Sequence, residues 1–258
     1  MINRIRLRVK EKMISYLNRK SREKVFRHIS SDYFFEIKDC KRHYEMLFED
    51  GSITILPKTI FSFIKRWEGK DHPSLYVGKS TYTQNLKLDT FYEQQVTIGS
   101  FCSFGPNVVI KPDGVRGKVQ FTQYPLFLID KSSEVYHAEI KKIRNYSVKI
   151  GNDCFIGENS KIMANVIVGD GVIIGERSLI TNGKILEPFG IYAGIPAKLI
   201  GYRYKSEIIT ELMRLKWWHW PLSKIQESGL QHIDFTKDTK NILDFLKNIT
   251  DEPDLVLR

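Results

Sequence analysis

Seven branched aliphatic residues, Ile150, Ile156, Ile162, Val168, Ile174, Ile180 and Leu186, stand six positions apart without a miss. Two places before six of them sits a small or β-branched residue: Val148, Cys154, Ser160, Val166, Val172 or Ser178. Neither a helical period of 3.6 nor a strand period of two produces this lattice. A fixed repeat of six marks a β-helix solenoid, in which no repeat can bury its own apolar side chain until neighbouring repeats stack on it. Three such repeats close one triangular coil. Ile150, Val168 and Leu186 are then predicted to lie above one another, as are Ile156 with Ile174 and Ile162 with Ile180. Glycine directly follows four of the aliphatics, at Gly151, Gly157, Gly169 and Gly175. These glycines are predicted to make the sharp coil corners, where a positive φ favours them.

The chain has 258 residues, room for one long solenoid with decorations. No apolar run approaches the roughly 18 residues of a membrane span. The opening MINRIRLRVKEK has no apolar core of a signal peptide, so a cytoplasmic location is expected. The three cysteines, Cys40, Cys102 and Cys154, are far apart and lack metal-ligand spacing. Cys102 and Cys154 each fall four places after a lattice isoleucine, which predicts reduced thiols in inward slots. Residues 1–27 hold ten basic and two acidic side chains, a net of +8 within a chain whose total is +10. Such a segment suits an acidic glycan or the inner face of a membrane, or it is a solvated helix face. Nucleic acid is set aside, because no motif with interleaved aromatics accompanies the charge.

Taken in order, residues 2–29 read as a basic helix with Ile5, Val9, Met13 and Leu17 along one stripe. Strands are predicted over Tyr33–Lys38, Tyr44–Phe48 and Ile53–Leu56, with an Asp50-Gly51 turn joining the last two. A short helix is predicted over Ile60–Trp67. Residues 1–75 would form this helix and a small α+β cap, and residues 76–204 the solenoid. The repeat starts raggedly, through Val77, Leu86 and Tyr92, before a clean run at Ile98, Phe104 and Ile110. It breaks over residues 111–147, an excursion long enough to be functional. Residues 205–258 read as a C-terminal helical region.

The solenoid ends on Phe189-Gly-Ile-Tyr-Ala-Gly-Ile-Pro-Ala-Lys198, followed by SEIITELMRLKWWHW over Ser206–Trp220. With VTIGSFCSF at Val96–Phe104, Gln123-Tyr124-Pro125, IGNDCFIG at Ile150–Gly157 and IVGDGVIIG at Ile167–Gly175, this resembles the hexapeptide-repeat acyltransferases, xenobiotic acetyltransferase branch. The likeness spans about Val77 to Ile225. It implies an all-β, left-handed parallel β-helix, here with the N-terminal cap and C-terminal helices added. It also implies a homotrimer with acetyl-CoA as co-substrate bound between neighbouring subunits, and no metal. Gly175, Ser178, Thr181, Gly194, Pro196, Ala197 and Lys198 become the cofactor-binding positions. Exposed apolar strand surface on flat β-helix faces points to the same oligomer.

Acetyl transfer to a hydroxyl needs a base for the acceptor proton and donors for the thioester oxyanion. The branch uses a histidine in the excursion, shortly before the Tyr-Pro pair. Laid without gaps from Ile98 to Tyr124, that position is Arg116, flanked by Val115 and Gly117. An arginine stays protonated and cannot take the role. Arg116 and Tyr124 are instead expected to contact the acceptor. His137 and Asp113 are the candidate bases of the excursion: a neutral imidazole suits proton abstraction near pH 7, whereas a carboxylate with an ordinary pKa needs burial. The six histidines are scattered and none stands in the lattice, which disfavours a zinc carbonic anhydrase built on the same coils. Glu176 and Arg177 replace the branch's small residues at a coil corner; they crowd the usual CoA path or are ordinary solvent-facing residues. The expected function is CoA-dependent O-acetylation of a sugar hydroxyl, in surface polysaccharide synthesis. The alternatives are a trimeric solenoid that has lost the chemistry and serves as a binding or assembly subunit, and a different sugar chemistry on an anionic glycan.

Overall fold

The computed structural model describes residues 28–29, 35–37, 44–48, 53–56, 60–62, 74–89, 94–113, 126, 129–235 and 238–249. Its frame is three sheets whose solenoid strands run parallel, wound by a coil of 18 residues that carries Ile150 onto Val168 and Val168 onto Leu186. The six-stranded sheet stacks β2 (Phe35–Ile37), β6 (Ser74–Val77), β9 (Gln95–Ile98), β12 (Ser147–Ile150), β15 (Ile167–Val168) and β18 (Ile185–Leu186). The five-stranded sheet stacks β5 (Ile60–Ser62), β8 (Lys87–Asp89), β11 (Val109–Lys111), β14 (Lys161–Met163) and β17 (Leu179–Ile180). The nine-stranded sheet runs β1 (His28–Ile29), β3 (Tyr44–Phe48), β4 (Ile53–Leu56), β7 (Tyr82–Gln84), β10 (Ser103–Pro106), β13 (Phe155–Ile156), β16 (Ile173–Ile174), β19 (Gly190–Gly194) and β20 (Ala197–Tyr202). The predicted register holds, with Ile156 on Ile174 and Ile162 on Ile180. One step inward of the corners, Cys102, Cys154, Ser160, Val166, Val172 and Ser178 are all buried. Both cysteines are free, and burial pushes the Cys154 thiol well up, as befits inert core thiols.

The corner glycines are not the left-handed residues that their place in the repeat predicts. None of Gly151, Gly157, Gly169 and Gly175 has a positive φ. Gly151, Gly157 and Gly169 are needed because the next coil lies too close for a side chain: a Cβ on Gly157 would stand 2.5 Å from the backbone nitrogen of Glu176. The left-handed residue comes two positions later, and it also recurs every six: Asp153, Asn159, Asn165, Gly171, Arg177, Gly183 and Phe189. Asn and Asp reach this conformation at low cost, and glycine freely. The ragged start is corrected too. Leu88 pairs with Ile110, so Leu86 fills the slot two places earlier, as Val108 does in the next coil. Tyr92 lies outside the described residues.

Strands from the N-terminal segment extend the solenoid's own sheets. β3 and β4 form the expected antiparallel hairpin, Tyr44 opposite Leu56, and β4 pairs in parallel with β7. Ile60–Ser62 is strand, not helix: it pairs in parallel with β8, placing Phe61 in register with Leu88. His28 and Ile29 pair with Leu47 and Phe48 as strand, correcting the end of the expected helix; residues 1–27 lie outside the described residues. Ile98 sits on Ile150 although 52 residues separate them, so 34 residues leave the lattice in the excursion. Within it, α1 (Glu134–Arg144) is capped by Ser133, whose Oγ accepts from Tyr136 N at 3.1 Å. It docks through buried Ile140 and through Gln94, which donates to the Ile143 carbonyl at 3.2 Å.

C-terminal helices pack along one corner, between the six- and nine-stranded sheets. In α2 (Ser206–Leu215), Ile208, Leu212 and Leu215 follow a helical stripe and are buried with Phe189, Trp218 and Trp220. α3 (Leu222–Ser228) follows, and α4 (Thr239–Asn248) buries Ile242 and Leu246 in the same cluster. Lys79, 1% exposed, donates from Nζ to the Trp220 carbonyl at 2.7 Å. Arg203 donates to Asp153 Oδ2 at 2.8 Å and to the Gly171 carbonyl at 2.9 Å, tying the chain after β20 to two successive coils. No helix among the described residues is long and apolar enough to cross a membrane.

Candidate functional site

The five-stranded sheet has two edges, and the residues implicated by sequence divide between them. The first is the corner where the excursion departs. Lys111 ends β11, and its register partner is Met163; Thr181 holds the same place one coil further on, since Ile162 pairs with Ile180. Pro112 and Asp113 turn away from the lattice at this point. Lys111 Nζ stands 3.4 Å from Asp89 Oδ2 and 3.3 Å from Asp113 Oδ2. The Asp113 side chain is only 7% exposed, and its Oδ1 has no hydrogen-bond partner. Burial lifts the Asp113 carboxyl above its ordinary value, against the pull of Lys111, which holds it down. The result is a carboxylate with one oxygen anchored and the other free to accept a proton.

The second edge is the corner before β17. Ser160 Oγ donates to the Gly175 carbonyl at 2.9 Å and accepts from Ser178 N at 3.3 Å. Ser178 Oγ accepts from Gly194 N at 3.2 Å. A Cβ on Gly175 would meet Ala193 Cβ at 3.1 Å, so this corner and the β19–β20 hairpin are in contact. The hairpin turns through Gly194, whose φ of +103° suits glycine, and a cis Ile195–Pro196 bond. Thus Gly175, Ser178, Gly194, Pro196 and Ala197 gather in one place, while Lys198 is exposed opposite Ala193. Thr181 belongs to the other edge. Glu176 and Arg177 project from the corner and are exposed, with Arg177 in the left-handed slot that Asn107 and Asn159 occupy below it.

His137 lies on the exposed side of α1, where its ring meets Tyr136 edge-on with centroids 5.3 Å apart. Among the described residues no hydrogen bond or ion pair joins it to Asp113. Arg116 and Tyr124 lie outside the described residues. No group of three or more His, Cys, Asp and Glu side chains that could hold a metal occurs among the described residues. Sequence reasoning missed the Lys111–Asp89 pairing with Asp113. The signal was the placement of Asp89 one residue after Leu88 and of Lys111 one residue after Ile110, which a correct register would have superposed.

Residues 147–182 match the family described as bacterial transferase hexapeptide (six repeats). The chain is 37% identical over 170 residues to a chloramphenicol acetyltransferase of Morganella morganii, covering 60% of this chain and 80% of that protein. It is 32% identical over 168 residues to the chloramphenicol acetyltransferase of Agrobacterium fabrum, covering 60% and 79% respectively. A galactoside O-acetyltransferase of Escherichia coli is 27% identical over 128 residues, 49% of this chain and 53% of that one. The parallel β-helix and these relatives lead to one conclusion: the chain belongs to the hexapeptide-repeat acyltransferase superfamily, within its xenobiotic acetyltransferase branch.

Proposed function

We propose that this protein transfers the acetyl group of acetyl-CoA to a hydroxyl of a sugar or sugar-like acceptor. The observation that carries the reading is the kinship with acetyltransferases across four-fifths of their length. The named galactoside acceptor of a more distant relative supports the sugar hydroxyl. The corner formed by Gly175, Ser178 and the Gly194–Ala197 turn would hold the CoA arm, where small residues leave the backbone approachable. Lys198 would complete the cofactor contacts beside it, and Thr181, on the other edge, would join them from a neighbouring copy. The excursion, with Arg116 and Tyr124, would cover the acceptor. Since the two edges lie on opposite sides of one sheet, we place the complete site between neighbouring subunits of a homotrimer, each edge supplied by a different copy.

The test uses the purified protein with acetyl-CoA and two acceptor probes, chloramphenicol and methyl galactoside. Release of CoA thiol, with one acetyl group added to a probe by mass spectrometry, is the expected outcome. Absence of acetyl-CoA binding by calorimetry would sink the reading and favour a binding or assembly subunit. Exposed Glu176 and Arg177 motivate that second reading only if they close the corner to CoA. Restoring acetyl-CoA binding by Glu176→Gly and Arg177→Asn would be its signature.

A further inference from the structure

We propose that Asp113 is the general base of this enzyme, filling by a buried carboxylate the role for which the chain has no histidine at the expected place. The inference rests on the acetyl-transfer reading above. Three observations lead to it. Asp113 sits where the excursion leaves the solenoid, on the same corner as Thr181. Its side chain is 7% exposed, yet Oδ1 has no partner, and a buried acceptor without a donor is costly unless something else fills it. Its other oxygen is held by Lys111, itself shared with Asp89, so the carboxylate is oriented. Neither feature is found at His137, which is exposed on α1 and unconnected to this cluster.

The step balances without a further reactant. As the acceptor oxygen attacks the thioester carbon, its proton passes to Asp113 Oδ1. The new bond joins acceptor oxygen to acetyl carbon, the carbon–sulfur bond breaks, and CoA leaves as thiolate. The proton then moves from Asp113 to the sulfur, restoring the carboxylate. Burial makes this carboxylate a better base than an exposed one, with Lys111 pulling the other way. Asp89, facing Lys111 from the coil below, shares its charge and adds to the upward push on Asp113.

The experiment compares wild type with Asp113→Asn and His137→Ala, each as the full chain, using chloramphenicol and methyl galactoside as probes. Asp113→Asn is expected to lower kcat by about 10²–10⁴, the usual contribution of a positioned base. Its KM for acetyl-CoA should stay within about twofold, since binding needs no base. In wild type, kcat/KM should fall on the acid side through a limb absent from the residual activity of Asp113→Asn. Asp113→Glu should recover part of the rate, which a purely structural role does not predict. If His137→Ala produces the collapse and removes the acid limb while Asp113→Asn turns over normally, the assignment is overturned. Wild type that binds acetyl-CoA but acetylates neither probe, even where Asp113→Asn matches it, also overturns it. Wild type that does not bind acetyl-CoA instead refutes the functional reading on which it rests.

Discussion

At the scale of single residues, the repeat contains two kinds of glycine position that look alike in sequence. Gly157 is required by proximity, Gly183 by its φ of +72° with nothing within 4 Å of a Cβ. Gly157→Ala should therefore destabilise by about 1–3 kcal/mol through overpacking, and Gly157→Asn by at least as much. Gly183→Ala should cost roughly 1–2 kcal/mol from left-handed strain, yet Gly183→Asn much less, because Asn165 holds the same corner one coil below. Urea denaturation of the four variants checks the contrast. Asp113 gives a second prediction. Its carboxyl is raised from the ordinary 3.8, so the folded state holds the proton more tightly than the unfolded chain does. Stability contributed by this group is thus highest below 3.8 and declines as pH rises through the folded pKa. Asp113→Asn should melt higher than wild type at pH 7, and the difference should close below pH 3.8. Thermal melts across that range measure it, and equal melting points at pH 7 would contradict the sign.

At the scale of elements, the corner between the six- and nine-stranded sheets is the one that the C-terminal helices cover. Phe101 and Phe189 take left-handed backbone there, a conformation unfavourable for aromatic residues. The ring of Phe101 meets Trp217 at 5.0 Å, and Phe189 is fully buried against α2. At Phe189 burial of the ring outweighs the backbone strain, since a fully buried aromatic contributes about 1.5–3 kcal/mol. Trp218, 1% exposed, anchors this interface. Trp218→Ala should cost about 3–5 kcal/mol, read from urea denaturation, because a cavity of that size cannot collapse against a rigid coil. Retention of wild-type stability would show that the helices are not integral to the solenoid. The excursion was legible as an interruption, but its helix was not, because α1 is polar on most sides and only Ile140 is buried.

At the scale of the whole molecule, the outward side of the nine-stranded sheet carries a ladder of apolar residues. Tyr82, Phe155, Ile173 and Ile191 follow one another in register through Ser103, with Tyr82 and Phe155 47% and 43% exposed. Ile167 and Ile185 form a second exposed pair on the six-stranded sheet. A cyclic trimer joins two different patches of each chain, and two are present. Sedimentation should therefore give about three times the chain mass of 30.1 kDa. The double substitution Phe155→Lys with Ile173→Lys should shift the mass towards one chain and abolish acetyl transfer, as the proposed site between copies requires. A monomeric wild type, or an active monomeric variant, would refute that arrangement.

The lattice of six by itself determined the coil, its inward columns and the slots of Cys102 and Cys154, because stacking a fixed repeat leaves one arrangement that buries every aliphatic. It determined the left-handed corners as well, through Asp153, Asn159, Asn165, Gly171 and Gly183. Of the candidate site, the cluster legible in sequence is the one whose residues follow one another, Gly194–Ala197. Tertiary structure alone decided that Lys111 reaches both Asp89 and Asp113, since those contacts depend on which coil lies on which. It alone decided that Asp113 is buried while His137 is exposed. A period fixes what repeats; burial of a side chain in an interruption depends on what folds back over it, and no local pattern encodes that.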